Sequence, residues 1–439
     1  MKKIVVFTVF TTTLFLSCST EKQTQKETET SLSEFMDLKF GMFVHWGPVA
    51  LRGTEIGWSR GREIPNEEYD QLYREFYPSE FNAEEWIKTL KDAGMKYFVI
   101  TTRHHDGFCL WPSEYSDYTI SATPYRRDLL MELKQACDKH GIMFGTYYSI
   151  CDWKHPDYPL GSPGGKTKKE TGNMEKFIAL IKGQTRELIE KYDSRILWFD
   201  GEWEEPWTHE MGLDLYHYLK GLDSTVLINN RVDKGRKGLE GITISKEFAG
   251  DYATPEQRVG AYELDNPWES CITICKQWAW KPKDEMKSFD ECIQTLITTV
   301  GGGGNLLLNV GPMPDGRIEP RQVQRLKEMG NWLKMYGESI YGTRGGPYKP
   351  TEKMASTRKG NKIYLHIFNC SDDLLSIPSP GEATIKSCSV LKGDQLKFTN
   401  NSTDLSIEIP YELRNTPVLS IELELDVNAL SMHTIQDPF

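Results

Sequence analysis

Clusters of basic residues are missing from this chain of 439 residues. It carries 52 lysines and arginines against 63 aspartates and glutamates, for a formal net charge of −11. Proteins that bind nucleic acid usually concentrate Lys and Arg on one face or along one helix. The sequence therefore predicts that nucleic acid is not a partner.

Two common sequence signals for cofactor sites are also missing. The glycine run at 301–304 does not follow a predicted strand and lacks the G-x-G-x-x-G spacing, so nucleotide binding is not expected. No H-x-H or H-x-x-x-H pair occurs, although His104 and His105 are adjacent. Neighbouring residues on a strand point to opposite faces, so these two histidines chelate one ion only if the strand has already ended.

Cysteine spacing gives no disulfide framework and no zinc site. Eight of the nine cysteines are scattered, mostly among apolar or aromatic neighbours. Cys271 and Cys275 are four residues apart, but no second pair of ligands accompanies them. We interpret these eight cysteines as buried thiols.

The N-terminus is typical of an exported protein. Lys2 and Lys3 precede a short apolar stretch at 4–16, which is too short to span a membrane as a helix. The following "LFLSC" resembles a bacterial lipobox, so we predict a signal peptide at 1–17 and lipidation of Cys18. The alternative is an ordinary signal peptide with an incidental cysteine. No later segment is apolar enough to cross a bilayer.

Residues 18–33 are polar and charged, which predicts a disordered tether. The tether and lipid would hold the protein in the periplasm or at the outer membrane of a Gram-negative bacterium. The lipid on Cys18 would be its only link to a membrane.

Strand-like and helical patterns alternate through most of the first 345 residues. Apolar runs such as "FGMFVHWG" and "ILWFDG" are separated by amphipathic segments such as "AEEWIKTLKDAG". This alternation indicates parallel strands with crossover helices. We predict a (β/α)₈-like barrel over residues 34–345, with a doubly wound open sheet as the second choice.

The pattern changes after residue 345. Short alternating runs such as "KIYLHIFN" and "VLSIELEL" are separated by Gly, Asn, Asp and Pro. This pattern predicts an antiparallel β-sandwich over residues 346–439.

Polar residues follow the predicted barrel strands, at the end where barrel enzymes place their active sites. Strand alternation puts Phe43 and His45 on one face, and Trp198 and Asp200 on one face. Each polar tip would then lie above an aromatic floor. The predicted rim contains His45, His104, His105, Asp106, Tyr147, Tyr148, Asp152, Asp200, Asn229, Asn230, Arg231 and Asn309.

Two kinds of chemistry suit such a rim. One is metal-dependent hydrolysis with the histidines and an aspartate as ligands. The other is glycoside hydrolysis by paired carboxylates, with histidines holding sugar hydroxyls.

Several motifs together carry a family resemblance. "FGMFVHWG", "TTRHHDGF", "LWFDG", "NNR", "TPE" and "GNLLLNVGP" occur in the order found in the α-L-fucosidase family, glycoside hydrolase family 29, from about Phe40 to Gly346. The resemblance implies a (β/α)₈-like barrel followed by a β-sandwich. It also implies exo-acting, retaining hydrolysis of terminal α-L-fucosides of glycans, without a metal or organic cofactor. A relative that has lost activity and only binds carbohydrate is a further alternative.

The resemblance assigns the catalytic carboxylates. Asp200 in "LWFDG" corresponds to the nucleophile, and Glu256 in "DYATPE" corresponds to the acid/base. Retaining chemistry places two such carboxyl groups about 5–5.5 Å apart. The rivals for the acid/base role are Glu240, Glu247, Glu263 and Glu269.

The resemblance also implies a substrate-binding set. The histidines would bind fucose hydroxyls, since a neutral imidazole both donates and accepts hydrogen bonds. Trp198 and Phe43 would receive the C6 methyl group, and Tyr148 would lie near the nucleophile, with Tyr147 as the other choice of register. The implied set is His45, His104, His105, Glu55, Trp58, Tyr148, Trp198, Phe43 and Arg231.

Overall fold

A parallel sheet forms the centre of the larger domain. A computed structural model describes residues 12–243, 245–381 and 383–435, with side chains described from residue 25 onward. Seven strands are hydrogen-bonded in the order β5-β4-β3-β2-β1-β7-β6. They are β1 (Phe40–Val44), β2 (Tyr97–Arg103), β3 (Met143–Ser149), β4 (Ile196–Asp200), β5 (Leu227–Ile228), β6 (Glu269–Thr273) and β7 (Asn305–Val310). Nearly all their residues are buried, as expected for strands covered on both faces.

Helices connect most of these strands and cover the outside of the sheet. Their starts are set locally: Asn82, Asp128, Asn173, Thr208 and Ser288 each cap a helix by accepting a hydrogen bond from a backbone N–H of its first turn. The helices are α1 (Thr12–Leu38), α2 (Asn66–Tyr69), α3 (Ala83–Asp92), α4 (Leu129–His140), α5 (Met174–Glu190), α6 (His209–Leu222), α7 (Phe289–Gly301) and α8 (Pro320–Tyr336).

The described residues between β5 and β6 contain no α-helix. Instead, residues 251–257 run between these two strands as an irregular extended segment, called here the irregular eighth segment. Parallel bridges join Asn229 to Tyr252 on one side and Glu256 to Cys271 on the other. The seven strands and the irregular eighth segment close the sheet, which confirms the predicted (β/α)₈-like barrel.

The predicted disordered tether is wrong for residues 18–33, because they lie within α1. Seven of these sixteen residues are Glu, Lys or Gln, which are good helix formers. The end of the helix is fixed to the barrel: Phe35 packs against Tyr97 with ring centroids 5.1 Å apart, and Asn305 Nδ2 donates to the Phe35 carbonyl across 2.8 Å. The C-terminal end of α1 therefore covers the N-terminal end of the barrel.

Parts of the predicted export signal lie outside the described structure. Residues 1–11 are not described, and neither is the side chain of Cys18. None of the helices in the described part of the chain combines the length and apolar character needed to cross a membrane.

Two antiparallel sheets form the C-terminal domain, as predicted. One has the order β12-β15-β10-β9-β8 and the other β11-β14-β13. Apolar side chains of both sheets, including Leu365 and Leu405, share one core. The strands are β8 (Arg344–Gly345), β9 (Met354–Lys359), β10 (Lys362–Phe368), β11 (Leu374–Pro378), β12 (Ile385–Val390), β13 (Phe398–Asn400), β14 (Asp404–Glu408) and β15 (Val418–Leu425).

Candidate active site

A cavity opens at the C-terminal ends of the barrel strands, where the sequence predicts the functional rim. Its lining comes from β1, β3, β4, β6, the irregular eighth segment and the connecting loops. The lining residues are Phe43, His45, Trp58, His104, Tyr147, Trp198, Asp200, Trp203, Arg231, Glu256, Cys271 and Trp278.

Asp200 is the last residue of β4 and is only 8% exposed. Arg231 Nη1 donates to Asp200 Oδ1 across 2.7 Å, and Tyr147 Oη donates to Asp200 Oδ2 across 3.0 Å. Burial alone would raise the pKa of the Asp200 carboxyl, but the charge and hydrogen bond of Arg231, together with other neighbouring groups such as Arg236, outweigh burial and hold this pKa below its ordinary value. Asp200 is therefore ionised at neutral pH, as a nucleophile must be.

Arg231 also contacts the second carboxylate. Its Nη2 lies 2.9 Å from Glu256 Oε2, and its Nε donates to Thr254 Oγ1 across 2.9 Å. The guanidinium thus touches both carboxylates that the sequence assigns to catalysis. The planar fork of arginine suits this bridging, because it presents several donors in fixed directions.

The rival glutamates lie elsewhere. Glu240 pairs with Lys237 across 2.8 Å, Glu247 is exposed on the same loop, and Glu263 accepts backbone hydrogen bonds of residues 265 and 266. Glu269 is fully buried in the barrel interior, where it accepts hydrogen bonds from Tyr97 Oη and Trp198 Nε1. Of the five candidate glutamates, Glu256 alone lines the cavity.

The barrel holds His45 as a neutral ring. Its Nδ1 lies 2.6 Å from Asn309 Oδ1, so Nδ1 carries the proton in the assigned tautomer. Burial lowers the pKa of His45 to about 3. The free Nε2 can accept a hydrogen bond from a sugar hydroxyl.

His105 is held in the same way. Ser149 Oγ donates to the Cys151 carbonyl and therefore accepts from His105 Nδ1, which lies 2.7 Å away. Burial lowers the pKa of His105 to about 4. Its unprotonated Nε2 lies 3.6 Å from Asp200 Oδ2 and has no hydrogen-bond partner within the described chain. A substrate hydroxyl near the nucleophile would satisfy it.

His104 stacks on Tyr147, with ring centroids 5.3 Å apart and an angle of 9° between the planes. Burial lowers the pKa of His104 well below its ordinary value. Gly57 has a positive φ of 65°, and a Cβ there would lie 2.7 Å from His104 Nδ1. The glycine therefore permits this histidine to take its place in the wall of the cavity.

The prediction that Tyr148 contacts substrate is wrong. Tyr148 is fully buried, and its hydroxyl donates to Gln184 Oε1 of α5 on the outside of the barrel. Its neighbour Tyr147 faces inward and binds Asp200. Alternation along β3 separates the two tyrosines, and only the pairing register shows which of them faces the cavity.

The structure also corrects the role predicted for Glu55. Its carboxylate accepts hydrogen bonds from the backbone N–H groups of Trp278, Ala279 and Ile56, at 2.8, 2.9 and 3.1 Å. Glu55 therefore holds a loop in place and does not line the cavity, although Trp58, three residues later, does. Burial raises the pKa of Glu55 to about 7.

Aromatic rings form the floor, as strand alternation predicts. Phe43 packs against Trp198 with ring centroids 5.0 Å apart. Trp198 Nε1 donates to the buried Glu269 across 3.0 Å, which fixes the indole plane.

Sequence reasoning misses three lining residues. Trp278 lies on the loop after β6 and packs beside His45, with centroids 4.7 Å apart. Trp203 follows Asp200 by three residues, and Cys271 lies in β6. The proximity of Trp203 to the predicted nucleophile is a usable signal, whereas Trp278 is brought in only by its hydrogen bonds to Glu55 and Asn309.

Within the described part of the chain, no three His, Cys, Asp or Glu side chains are grouped in a way that could hold a metal ion. All eight cysteines after Cys18 are buried and unpaired, as predicted.

This barrel, with two carboxylates on one guanidinium above an aromatic floor, has the active-site architecture of a glycoside hydrolase. A sequence profile described as Alpha-L-fucosidase matches residues 11–338. The chain therefore belongs to the α-L-fucosidase family, and it is a retaining α-L-fucosidase.

Curated relatives and solved structures agree. The tissue α-L-fucosidase of Homo sapiens is 30% identical over 410 residues, covering 86% of this chain and 84% of the human protein. The α-L-fucosidase isoenzyme 1 of Paenibacillus thiaminolyticus is 31% identical with a TM-score of 0.82, covering 91% of this chain and 100% of its own. The structure of a Bacteroides thetaiotaomicron α-L-fucosidase, trapped as a covalent intermediate with 2-fluoro-fucosyl fluoride, is 28% identical with a TM-score of 0.81, covering 91% of this chain and 96% of its own.

Proposed function

We propose that Asp200 is the nucleophile and Glu256 the acid/base of this α-L-fucosidase. The observation that carries the assignment is the shared contact of both carboxylates with Arg231, at 2.7 and 2.9 Å. Both side chains line the same cavity, and Asp200 is the more buried of the two.

In the first step, an oxygen of Asp200 attacks the anomeric carbon of fucose. The bond from this carbon to the leaving oxygen breaks, and Glu256 transfers its proton to that oxygen. In the second step, Glu256 takes a proton from water, the water oxygen attacks the anomeric carbon, and Asp200 leaves as a carboxylate. Both steps pass through a state with oxocarbenium character.

Arg231 lies beside one negative charge throughout the two reaction steps, although that charge moves from Asp200 to Glu256. Before the first step, Asp200 carries the negative charge and Glu256 is protonated. After it, Asp200 is an uncharged ester and Glu256 carries the charge. Because Arg231 contacts both groups, the same cation stabilises the negative charge before and after it moves.

The neutral histidines support binding of a polyhydroxylated sugar. His45 and His105 each use Nδ1 within the protein, which leaves Nε2 to accept from a sugar hydroxyl. The apolar surface of Phe43 and Trp198 suits the C6 methyl group of fucose. One methyl group is worth only about 1–3 kcal/mol of discrimination, so the hydroxyl contacts carry the rest of the specificity.

We further propose that the enzyme is exported and lipidated on Cys18, and acts on fucosylated oligosaccharides or glycoconjugates in the periplasm or at the outer membrane. The support is the N-terminal "LFLSC" after a short apolar stretch. Metabolic labelling with a clickable fatty acid, comparing the wild type with Cys18→Ala, tests this part: label on both proteins, or on neither, would contradict it.

Kinetics of two variants test the catalytic roles. Asp200→Gly should lose nearly all activity, and azide should restore turnover by giving an inverted fucosyl azide. Glu256→Ala should slow natural fucosides far more than aryl fucosides with good leaving groups, since those need little protonation. Glu247→Ala, an exposed glutamate on the same loop, is the matched control and should behave as the wild type.

Two results would contradict the assignment. Unchanged turnover in Asp200→Ala would exclude Asp200 as the nucleophile. Equal losses on natural and activated substrates in Glu256→Ala would remove the acid/base role from Glu256.

A further inference from the structure

Trp203 is the most exposed aromatic residue of the active-site cavity. It is 41% exposed, whereas Phe43 and Trp198 on the floor are almost fully buried. Ligand-binding cavities are lined mainly by apolar and aromatic side chains, so an exposed indole at the edge of one is available to a bound ligand. Its position three residues after Asp200 places it close to the reaction.

The loop that carries Trp203 is held on both sides by buried carboxylates. Glu202 is 3% exposed and pairs with Arg236, with Nε 2.6 Å from Oε1. Glu204 is also 3% exposed and accepts from Trp153 Nε1 across 3.0 Å and from Tyr158 Oη across 2.5 Å. Burying a carboxylate costs free energy unless it forms an ion pair or hydrogen bonds. Because Glu202 and Glu204 form such contacts on either side of the exposed indole, the loop has a defined shape.

The turn that precedes this loop is also constrained. Gly201 has a φ of +101°, and a Cβ there would lie 2.9 Å from the backbone nitrogen of Cys151. Only glycine fits this combination of conformation and close approach. The backbone of this turn therefore sets the direction in which the loop leaves Asp200.

The orientation of the Trp203 ring is fixed from one side. It is nearly parallel to the Trp58 ring, at 16° with centroids 6.3 Å apart, and it meets the edge of His105 at 89°. Arg62 lies over the Trp58 ring, with its guanidinium carbon 5.5 Å from the centroid. The exposed surface of Trp203 is therefore a rigid, flat, apolar platform at the mouth of the cavity.

The leaving group has to lie at this mouth. The floor is closed by Phe43 and Trp198, so a terminal fucose enters first, and the rest of the glycan stays near the partly exposed Glu256. A hexopyranose presents an apolar face of C–H bonds that packs well on an aromatic ring. Phosphate or sulfate groups would find no such match on an indole.

We propose that Trp203 is the specificity-determining platform for the leaving-group sugar, and that the preferred substrates carry fucose on a hexopyranose whose C–H face stacks on this indole. The proposal rests on the α-L-fucosidase activity and the catalytic roles proposed above. It adds a contact outside the fucose-binding part of the cavity.

The experiment compares two substrates that share fucose and differ in the leaving group. One is a fucosylated disaccharide, and the other is α-L-fucosyl fluoride, whose leaving group is too small to reach the platform. The measured quantity is the ratio of kcat/KM for the disaccharide to kcat/KM for the fluoride. Hydrolysis of the fluoride by the wild type verifies the fucosidase activity independently of the platform.

Trp203→Ala should lower this ratio about tenfold, the loss expected for exposing one sugar face. Trp203→Phe should keep most of the ratio because a flat ring remains, whereas Trp203→Leu should lose most of it because the side chain is apolar but not flat. Tyr411→Ala, which removes another exposed aromatic in the C-terminal domain, is the matched control and should leave the ratio unchanged.

Three outcomes would overturn the proposal. An unchanged ratio in Trp203→Ala would show that the leaving group does not use this ring. Equal losses on both substrates would place Trp203 in the fucose-binding part of the cavity. A ratio preserved in Trp203→Leu would show that apolar bulk, and not stacking, matters at this position.

Discussion

Arg231 stacks on Trp198, with the guanidinium carbon 4.4 Å from the ring centroid. The stacking fixes the plane of the cation that contacts both proposed catalytic carboxylates, and it connects these carboxylates to the floor of the cavity. Glu269 accepts a hydrogen bond from the same indole in the barrel interior. This buried hydrogen bond fixes Trp198, and Trp198 in turn fixes the position of the Arg231 guanidinium.

Replacement of Arg231 by lysine tests this arrangement. A lysine keeps the charge but cannot contact both carboxylates in one plane, so we expect kcat to fall roughly 100-fold. Steady-state kinetics on an aryl fucoside would measure the loss, with thermal unfolding as the control for folding. Wild-type kcat in the Arg231→Lys enzyme would show that charge alone is sufficient.

The two adjacent tyrosines of β3 form a matched pair. Tyr147→Phe removes a hydrogen bond to the charged Asp200, and we expect kcat to fall about tenfold or more. Tyr148→Phe leaves Gln184 Oε1 without a partner and should cost about 1–3 kcal/mol in the free energy of unfolding, with little effect on kcat.

Kinetics and chemical denaturation of both variants separate the two roles. The reverse pattern, with Tyr148→Phe losing activity and Tyr147→Phe losing only stability, would mean that the register of β3 differs from the one described.

Glu269 provides a contrast to Glu256. In Glu269→Gln the amide group can accept from only one of its two donors, Tyr97 Oη and Trp198 Nε1, and turns its N–H₂ toward the other. We expect a stability loss of about 1–3 kcal/mol and no change in the dependence of rate on leaving-group pKa. A steeper dependence in Glu269→Gln than in Glu256→Ala would reverse the assignment of the acid/base.

The buried histidines predict sensitivity to acid. The pKa of His45 is lowered to about 3 in the folded protein, whereas an unfolded imidazole takes up a proton below about 6.5. Between these values the unfolded state binds more protons, so the free energy of unfolding decreases as pH falls, by up to about 1.4 kcal/mol per pH unit for this group.

Unfolding curves between pH 7 and pH 4 for the wild type and His45→Gln would show this effect. The variant should lose less stability on acidification. Parallel curves for the two proteins would mean that His45 does not retain a depressed pKa in the folded state.

The metal-dependent alternative has a simple test. Because the proposed mechanism uses no metal ion, incubation with EDTA should leave kcat/KM unchanged. Loss of activity on chelation, with recovery on addition of Zn²⁺, would show that a metal takes part in the reaction.

Several features can be predicted from the sequence because they depend on local order along the chain. Apolar runs of strand length between amphipathic segments predict the barrel, and Asp200 comes at the end of such a run. The motif "DYATPE", which follows a stretch rich in glycine and lysine, predicts Glu256 as the acid/base. The structure shows why Glu256 has a defined position: its backbone forms a parallel β-bridge with Cys271 in β6.

Other features depend on contacts between distant residues. Glu55 is recognised as a structural residue only after the fold brings Trp278, 223 residues away, to its carboxylate. The helical state of residues 18–33 also depends on a distant contact. The composition of this segment does not show that Phe35, later in the same helix, packs against Tyr97 of the barrel.

The sequence by itself determined the barrel, the sandwich and the family, because periodicity and short motifs are properties of neighbouring residues. Only the tertiary structure decided that Tyr147 and not Tyr148 faces Asp200, because a shift of one residue in strand register exchanges the two faces. It also decided that one arginine serves both carboxylates, because Asp200, Arg231 and Glu256 come from three separate segments that meet only when the barrel closes.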